Sequence, residues 1–583
     1  MSYFGCCRSR SGWLSLVVLL TLSAVAVQTG CGGALGTPTT PPPSSPPPSP
    51  QTFSISGNIS GPGGAAASVT LSGAANGTTT ADSSGNYSFT GLAAGSYTVT
   101  ATKTGFSITP ASQSIVISNA NMTANFSSTA PSSAGIQAVN HIIFLSQENR
   151  SFDTYFGKLN DYRSAAPFNL PREVDGLPDG CSSSNSDWTN NNNGACTAMN
   201  KSPNSSGVPT TPIYAFHLKD MCIENTSPDW ISSHWDFNAE APSTDTPAMD
   251  GFVVSAASAA LADGFKDTPG IRAMGFYTGD DLPYHYWLAT QFATSDRWYS
   301  PVASRTQPSR YYMVGATSNG HAYETFTPLQ GKTIFDLLNS AGVSWLIYSQ
   351  SGSTSAAAFD GFMQHNASHI VPLDQFITDA QGGTLPAVAY IEELNADEHP
   401  NMGENIQGGV TESHQLIDAV MYGTNTDFSA GPSWKDSVFI ITFDESGSLY
   451  DHVPPPTTGV PNPDGVQPVD ICTNSTDPRC TVASQTHSAP PYDPPGDFTR
   501  YGFRVPLMVI SPFTNAHYVS HTTTDYTSWI KFVETRFGLP NLNARDLSVS
   551  DMTEFFDFQN PPWATPPANP PTDGTGSCYD SLP

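Results

Sequence analysis

Positive charge is scarce in this chain. Of 583 residues, 22 are lysine or arginine against 50 aspartates and glutamates, and the formal net charge is −28. So acidic a surface is repelled by nucleic acid and by anionic lipid headgroups, which excludes nucleic acid as a general partner. If a phosphate is handled here, a local device must hold it, and a cation is the first candidate. Long apolar runs are also lacking. The stretch LSLVVLLTLSAVAV near the N-terminus falls short of the roughly 20 residues of a membrane span. No CxxC or Cys/His spacing marks a zinc finger, and no GxSxG elbow marks an acyl-transfer nucleophile. Neither a P-loop nor a GxGxxG occurs in the right context. What remains is enough to fold: hydrophobic residues make up 38%, and the length exceeds one ordinary domain.

The chain changes character along its length. Residues 1–31 read as an export signal, with two arginines in CCRSRSGW, the short apolar core, then QTGCGG. Gly30-Cys31 resembles the end of a bacterial lipobox, whose cysteine is lipidated, although Gln28 stands where an aliphatic residue is preferred. A lipid anchor on Cys31 would tie the protein to a membrane; ordinary secretion is the other reading. Both place the protein outside the cytoplasm, as a cell-envelope lipoprotein or a secreted or periplasmic protein. Residues 32–50 are a proline-rich spacer that favours extended polyproline II and packs no core. Six cysteines follow Cys31, an even number that suits disulfides in an oxidising compartment. Cys181–Cys196 and Cys472–Cys480 are close enough in sequence to staple loops, which leaves Cys222–Cys578.

Residues 51–130 carry short runs of period-two alternation, such as ASVTLSG and GSYTVTATKTG, punctuated by Gly, Asn and Ser. They predict a small antiparallel β-sandwich. The stretch ADSSGNYSFTGLAAGSYTVTATKTGF resembles the carboxypeptidase regulatory-like sandwich, and no catalytic constellation lies in it. From 135 to 583 the pattern is different. Continuous apolar runs (NHIIFLS, VSWLIYS, AVAYIEE, DSVFIITF, RVPLMVIS) alternate with helical patterns (TIFDLLNSAG, HQLIDAVMYG, TDYTSWIKFVETRFG). Strands buried on both faces with helices between them imply parallel crossovers, hence an α/β, doubly wound fold. The Gly/Pro/Asn-rich stretches 181–212 and 453–500 are expected to be loops.

Ligands of open α/β sheets bind beyond the carboxyl ends of the strands. Glu148 and Asn149 follow one apolar run, Asp444 and Glu445 another, and Asp397-Glu398-His399 a third. Each pair alone is more often a loop acid in solvent. Together, carboxylates this close repel one another unless a cation neutralises them. The four residues Glu148, Asn149, Asp444 and Glu445 therefore predict one divalent metal ion. Oxygen ligation suits Ca, Mg or Mn, and Zn and Fe also occur with carboxylates, so its identity stays open. Thr306, two places before Pro308, marks a helix start where a hydroxyl meets free N–H groups. Capping the helix is the commoner role for such a threonine.

The blocks ENRSFDTYFG, DLPYHYWLATQFATSDRWY, TQPSRYYMVGAT, ADEHP, GPSWKDSVFIITFDESGSLYDHVPPP and YGFRVPLMVISP resemble, in order, those of the bacterial phosphoesterase family. That family holds non-zinc phospholipases C and the respiratory-burst-inhibiting acid phosphatase, and the resemblance spans about 138–540. It implies an alkaline-phosphatase-like doubly wound sheet and ester hydrolysis through a covalent phospho-enzyme. By the same resemblance Thr306 is the nucleophile and touches the metal, while Glu148, Asn149, Asp444 and Glu445 bind it. His399 contacts phosphate or leaving group, and His234 in SHWDFN matches a further histidine by a looser alignment. Asn149, Arg310 and His452 are candidates for substrate contact, with His452 equally suited to ordering its loop. The nucleophile block departs from the family pattern: Arg305 stands for proline and Ser309 for asparagine, which puts substrate preference in doubt.

The implied function is a metal-dependent phosphoric ester hydrolase that cleaves phosphodiester lipids through a phosphothreonine. The alternative within the class is an acid phosphatase. A lipid-active enzyme is expected to show an aromatic rim, for which Tyr284, Tyr286, Trp287 and Trp298 are candidates, although core packing suits most of them better. The alternative of another class is a surface-anchored binding or adhesion protein, against which the retained Glu148, Asn149, Thr306, Asp444 and Glu445 argue.

Overall fold

The computed structural model describes residues 51–579, except 62, 104–106, 111, 130–132, 402–403, 458–459, 464, 466 and 482–490. The export signal, Cys31 and the proline-rich spacer lie outside the described residues.

The alternating runs after residue 51 form two small sheets. In Ser68–Gly73, Val69 and Leu71 are buried while Thr70 is exposed, as period-two alternation requires. One sheet pairs Phe53–Ser60 with Asn86–Leu92, Met122–Thr123 and Phe126–Thr129, with Ser107–Thr109 at its edge. The other orders Gly77–Thr80, Ser68–Gly73, Gly95–Thr102 and Ser112–Ile117. Their inward faces make a core around Ile55, Val69, Val99 and Ile117. The sandwich is not wholly antiparallel as expected. Phe53–Ser60 pairs in parallel with Met122–Thr123 and with Phe126–Thr129, because the first and last strands of the unit enter the sheet in the same direction.

The rest of the chain is mixed α/β around one eight-stranded sheet. In chain order its strands are β1 (His141–Gln147), β2 (Ala293–Ser295), β3 (Trp345–Ser349), β4 (Ile370–Val371), β5 (Val388–Glu393), β6 (Ser437–Phe443), β7 (Leu507–Ile510) and β8 (Tyr518–Ser520). In space they run β4-β3-β5-β1-β6-β7-β2-β8. Every residue of β6 and β7 is buried, as is all of β1 after His141. This is why these strands read as unbroken apolar runs. β1 pairs in parallel with β5 on one side and β6 on the other.

Two expectations need correction. RVPLMVIS holds β7, which runs antiparallel to both β6 and β2. The segment 444–506 that leads into it carries no crossover helix among its described residues, only a short 3₁₀ turn at Pro478–Thr481. Without a crossover, the returning strand pairs antiparallel. The stretch 181–212 is not all loop, since Met199–Pro203 and Pro209–Tyr214 form a two-stranded ladder. The helical patterns appear as expected, as Ile334–Ala341, Gln407–Met421 and Ser528–Phe537.

The three disulfides are Cys181–Cys196, Cys222–Cys578 and Cys472–Cys480, the pairing read from spacing. Among the described residues, no helix is long and apolar enough to cross a membrane.

Candidate active site

The register of the sheet builds the site. Gln147, the last residue of β1, is the partner of Phe443, the last residue of β6. The next residues on the two strands, Glu148-Asn149 and Asp444-Glu445, therefore emerge side by side. Asn149 N–H donates to Asp444 Oδ1 at 3.1 Å, and Glu445 N–H donates to the same oxygen at 2.8 Å. Asp444 and Glu445 are fully buried, and Glu148 is partly exposed. Asn149 adopts a left-handed backbone (φ 59°), which asparagine tolerates better than most residues. Gly447 (φ 67°) packs against it so closely that a Cβ there would lie 2.7 Å from Asn149 O.

β5 delivers the third arm. Beyond it, Asp397 accepts from the His399 N–H, and His399 Nε2 lies 3.1 Å from Asn149 Nδ2 and 3.9 Å from Glu148 Oε2. Glu398, between them, is buried in a separate grip: His285 Nε2 at 2.8 Å, the Gln147 amide, and Arg150 Nε donating to its carbonyl at 2.7 Å. That grip fixes the loop that carries His399.

The fourth arm is the helix Thr306–Gly315. Arg305 is its N-cap, so Thr306 is the first helical residue and not the cap. Its hydroxyl makes no hydrogen bond among the described residues. Arg310, one turn further on the same face, donates to Glu148 Oε1 at 2.9 Å and to Asp444 Oδ2 at 3.2 Å, and lies 3.7 Å from Glu392. On the other side of Thr306, Arg305 acts electrostatically on Glu445. The first turn of this helix thus lies against the acidic cluster.

Electrostatics shows what the cluster needs. Burial, with Glu148 adding to it, pushes Asp444 up to about 7 even though Arg310 pulls the other way. Burial and the neighbouring Asp444 push Glu445 well above the usual carboxylate range. Burial and Glu148 raise Asp397 to about 8. Burial also lowers His399, against the pull of Glu148. Of the four strand-end residues, two have a buried oxygen with no hydrogen-bond partner, Asn149 Oδ1 and Glu445 Oε1. Crowded acids, orphaned oxygens and an all-oxygen donor set fit a hard divalent cation.

Two other predicted residues lie elsewhere. His234 sits in the helix Trp230–Phe237, fully buried, with Nδ1 on Trp230 O at 2.7 Å and its ring against the Trp230 indole. Its Nε2 has no hydrogen-bond partner, and a Cβ at Gly496 would come within 2.9 Å of it. No hydrogen bond or ion pair joins His234 to the acidic cluster among the described residues. His452 belongs to a second network. Its Nδ1 lies 2.7 Å from Asp153 Oδ2 and its Nε2 3.1 Å from Asp175 Oδ1. Asp153, Asp451 and His452 bring ligand atoms within 4.8 Å of one another, a spacing compatible with a divalent ion. There Arg504 already supplies positive charge, reaching Asp451 at 2.9 Å and Asp153 at 3.1 Å over the Phe152 ring. Tyr284, Tyr286, Trp287 and Trp298 are all buried, in keeping with the core packing expected for most of them.

The sequence placed Asp397 and Glu398 at a strand end beside His399, but not Arg310 as the counter-charge of the cluster, and Glu392 and His285 were missed. Arg310 carried a signal, its spacing of four from Thr306. His285 carried none, because its partner lies 113 residues away.

Helix N-termini bind anions, and one lies here at the carboxyl edge of a mainly parallel sheet, where ligands of such sheets bind. Residues 139–540 match the Phosphoesterase family, and the chain belongs to it: this protein is a phosphoric ester hydrolase. Residues 54–129 match the carboxypeptidase regulatory-like domain. The chain is 29% identical to "Phospholipase C B" of Mycobacterium tuberculosis, over 73% of this chain and 78% of that protein. It is 28% identical to "Non-hemolytic phospholipase C" of Burkholderia pseudomallei, over 74% and 61% respectively. It is 29% identical to "Non-specific phospholipase C4" of Arabidopsis thaliana, over 67% and 65%.

Proposed function

We propose that the protein is an exported phospholipase C, which cleaves phosphodiester lipids by transient transfer of the phosphoryl group to Thr306. The observation that carries this reading is the pairing of Gln147 with Phe443, which gathers Glu148, Asn149, Asp444 and Glu445 beside the first turn of the Thr306 helix. The names of the relatives support the lipid substrate.

Glu148, Asn149 Oδ1, Asp444, Glu445 and the Thr306 hydroxyl would hold one divalent cation. Its chemistry there is to lower the pKa of the hydroxyl and offset the phosphate charge. Thr306 attacks phosphorus in line, and the N–H groups of its helix hold the phosphoryl oxygens. His399 is the group placed to pass a proton to the departing ester oxygen. His234, enclosed by Trp230 and Gly496, is a weaker candidate for that step. Water then releases the phosphoryl group from Thr306. An alkaline-phosphatase-like doubly wound fold accords with the strand order, and the division into a sandwich at 51–130 and a catalytic region at 135–583 accords with the two separate cores. The three disulfides favour an oxidising compartment, and hence export, whether as a lipoprotein anchored at Cys31 or as a secreted or periplasmic protein.

Thr306→Ala is expected to lose turnover by at least about a thousandfold while still binding inorganic phosphate. Turnover above a trace in that variant would remove Thr306 from the role. Prolonged chelation should silence the enzyme and a divalent ion should restore it; an active preparation free of metal by elemental analysis would refute the cation. The burial of Tyr284, Tyr286, Trp287 and Trp298 favours one second reading, a phosphatase of soluble monoesters. Rates on one phospholipid and one phosphomonoester separate the two.

A further inference from the structure

Beside the acidic cluster lies a cavity of about 210 Å³, bordered by Glu148 and Arg310. It is also lined by Ser353, Thr354 and Ser355 and by Gln307, the residue after Thr306. No aromatic ring lines it, and Leu394 is its one apolar side chain among the described residues. Quaternary ammonium groups are recognised by aromatic cages, through the attraction of a cation to a ring face. Nothing of that kind is present.

The acids in the wall are already committed. Glu392 accepts from Thr354 Oγ1 at 2.6 Å and from Ser355 N–H at 2.9 Å, and it faces Arg310. Asp397 accepts from the backbone of His399. What stays open is neutral and able both to donate and to accept. The Gln307 amide makes no hydrogen bond among the described residues. Ser353, on the same loop, is exposed. An amide and hydroxyls around a small space match the hydroxyl groups of a polyol.

The geometry points to this cavity as the headgroup subsite, built for an uncharged polyol headgroup such as glycerol and against choline or ethanolamine. This rests on the phosphodiester reading above. In that reaction the bond from Thr306 oxygen to phosphorus forms as the bond from phosphorus to the diacylglycerol oxygen breaks, and that oxygen takes up a proton. The headgroup remains on phosphorus. Water then breaks the threonine–phosphorus bond and releases the headgroup phosphate. The cavity therefore holds the headgroup through both steps. A site that hydrogen-bonds hydroxyls discriminates against a ligand that lacks them, because its polar groups are left unpaired.

The test uses the full chain with its divalent ion. Phosphatidylglycerol, phosphatidylcholine and phosphatidylethanolamine are each presented at low mole fraction in neutral detergent micelles, which keeps surface charge comparable. Bis(p-nitrophenyl) phosphate reports diester chemistry without a headgroup. The expected result is a kcat/KM for phosphatidylglycerol at least about tenfold above the other two. Gln307→Met should lower that ratio toward one. Ser353→Ala, on an exposed loop that disturbs folding little, should also lower it. A preference for choline or ethanolamine while bis(p-nitrophenyl) phosphate is cleaved overturns this inference alone. An unchanged ratio in both variants does the same. Cleavage of p-nitrophenyl phosphate but of no diester overturns the phospholipase reading and this inference with it.

Discussion

Arg310 sits among Glu148, Asp444 and Glu392, and these three carboxylates keep its guanidinium charged against the cost of burial. Lysine cannot replace it, because a single ammonium does not reproduce the fork that reaches several acids at once. Removing one member of a buried charge cluster leaves the others uncompensated, at about 3–5 kcal/mol. Arg310→Leu should therefore destabilise the fold by about that amount in urea unfolding. A loss under about 1 kcal/mol would mean that the acids are neutralised by other means. Ser309 stands next to it where the family pattern has asparagine. Its hydroxyl is buried beside the Tyr526 phenol, and nothing in the structure explains the exchange.

At the scale of elements, the reversed strand β7 does the most to shape the site's surroundings. Because it runs against β6, its N-terminal end lies at the edge where β6 ends. Arg504, just before β7, thereby meets Asp451, just after β6. The loop that begins FDESGSLYDHVPPP is pinned there, and His452 is part of the pin. Burial works against charge on His452, but Asp153 and Asp175 outweigh it and raise the imidazole to about 10, with Arg504 opposing. An unfolded histidine titrates near 6.5. The stabilisation is thus fully present below about pH 6.5 and is lost as pH rises through about 10. The Tm gap between the native protein and His452→Gln should be widest near pH 6 and close by pH 10. A gap constant across that range would rule out the charged pair.

The same elements show what a sequence can disclose. The four acids and amides at the strand ends were legible because a buried strand that stops at two polar residues marks its own carboxyl end. The antiparallel course of β7 was not, since its residues suit either direction and only the missing crossover decides. The Met199–Tyr214 ladder was hidden by its asparagines and prolines. His399 and, more loosely, His234 were both named by resemblance; only packing shows His234 against Trp230 and His399 against Asn149.

Across the whole molecule, the C-terminal segment works as a strap. Ser577 O accepts from Met221 N–H, Gly576 O accepts from Asn405 Nδ2, and Asp573 bonds Thr411 and His414 on the helix Gln407–Met421. Cys222–Cys578 closes it over a separation of 356 residues. Long closed loops restrict the unfolded chain most, so Cys578→Ser should cost about 2–5 kcal/mol in denaturant unfolding. Breaking Cys472–Cys480, which spans eight residues, should cost less. Equal costs would contradict the loop-entropy account. The pairing of Gln147 with Phe443 constrains descendants of this sequence differently. Substitutions inside β1 or β6 alter packing, but one inserted or deleted residue would turn alternate side chains to the wrong face and carry Glu148 away from Asp444. Between His141 and Glu148, evolution is free to edit letters but not to change the count.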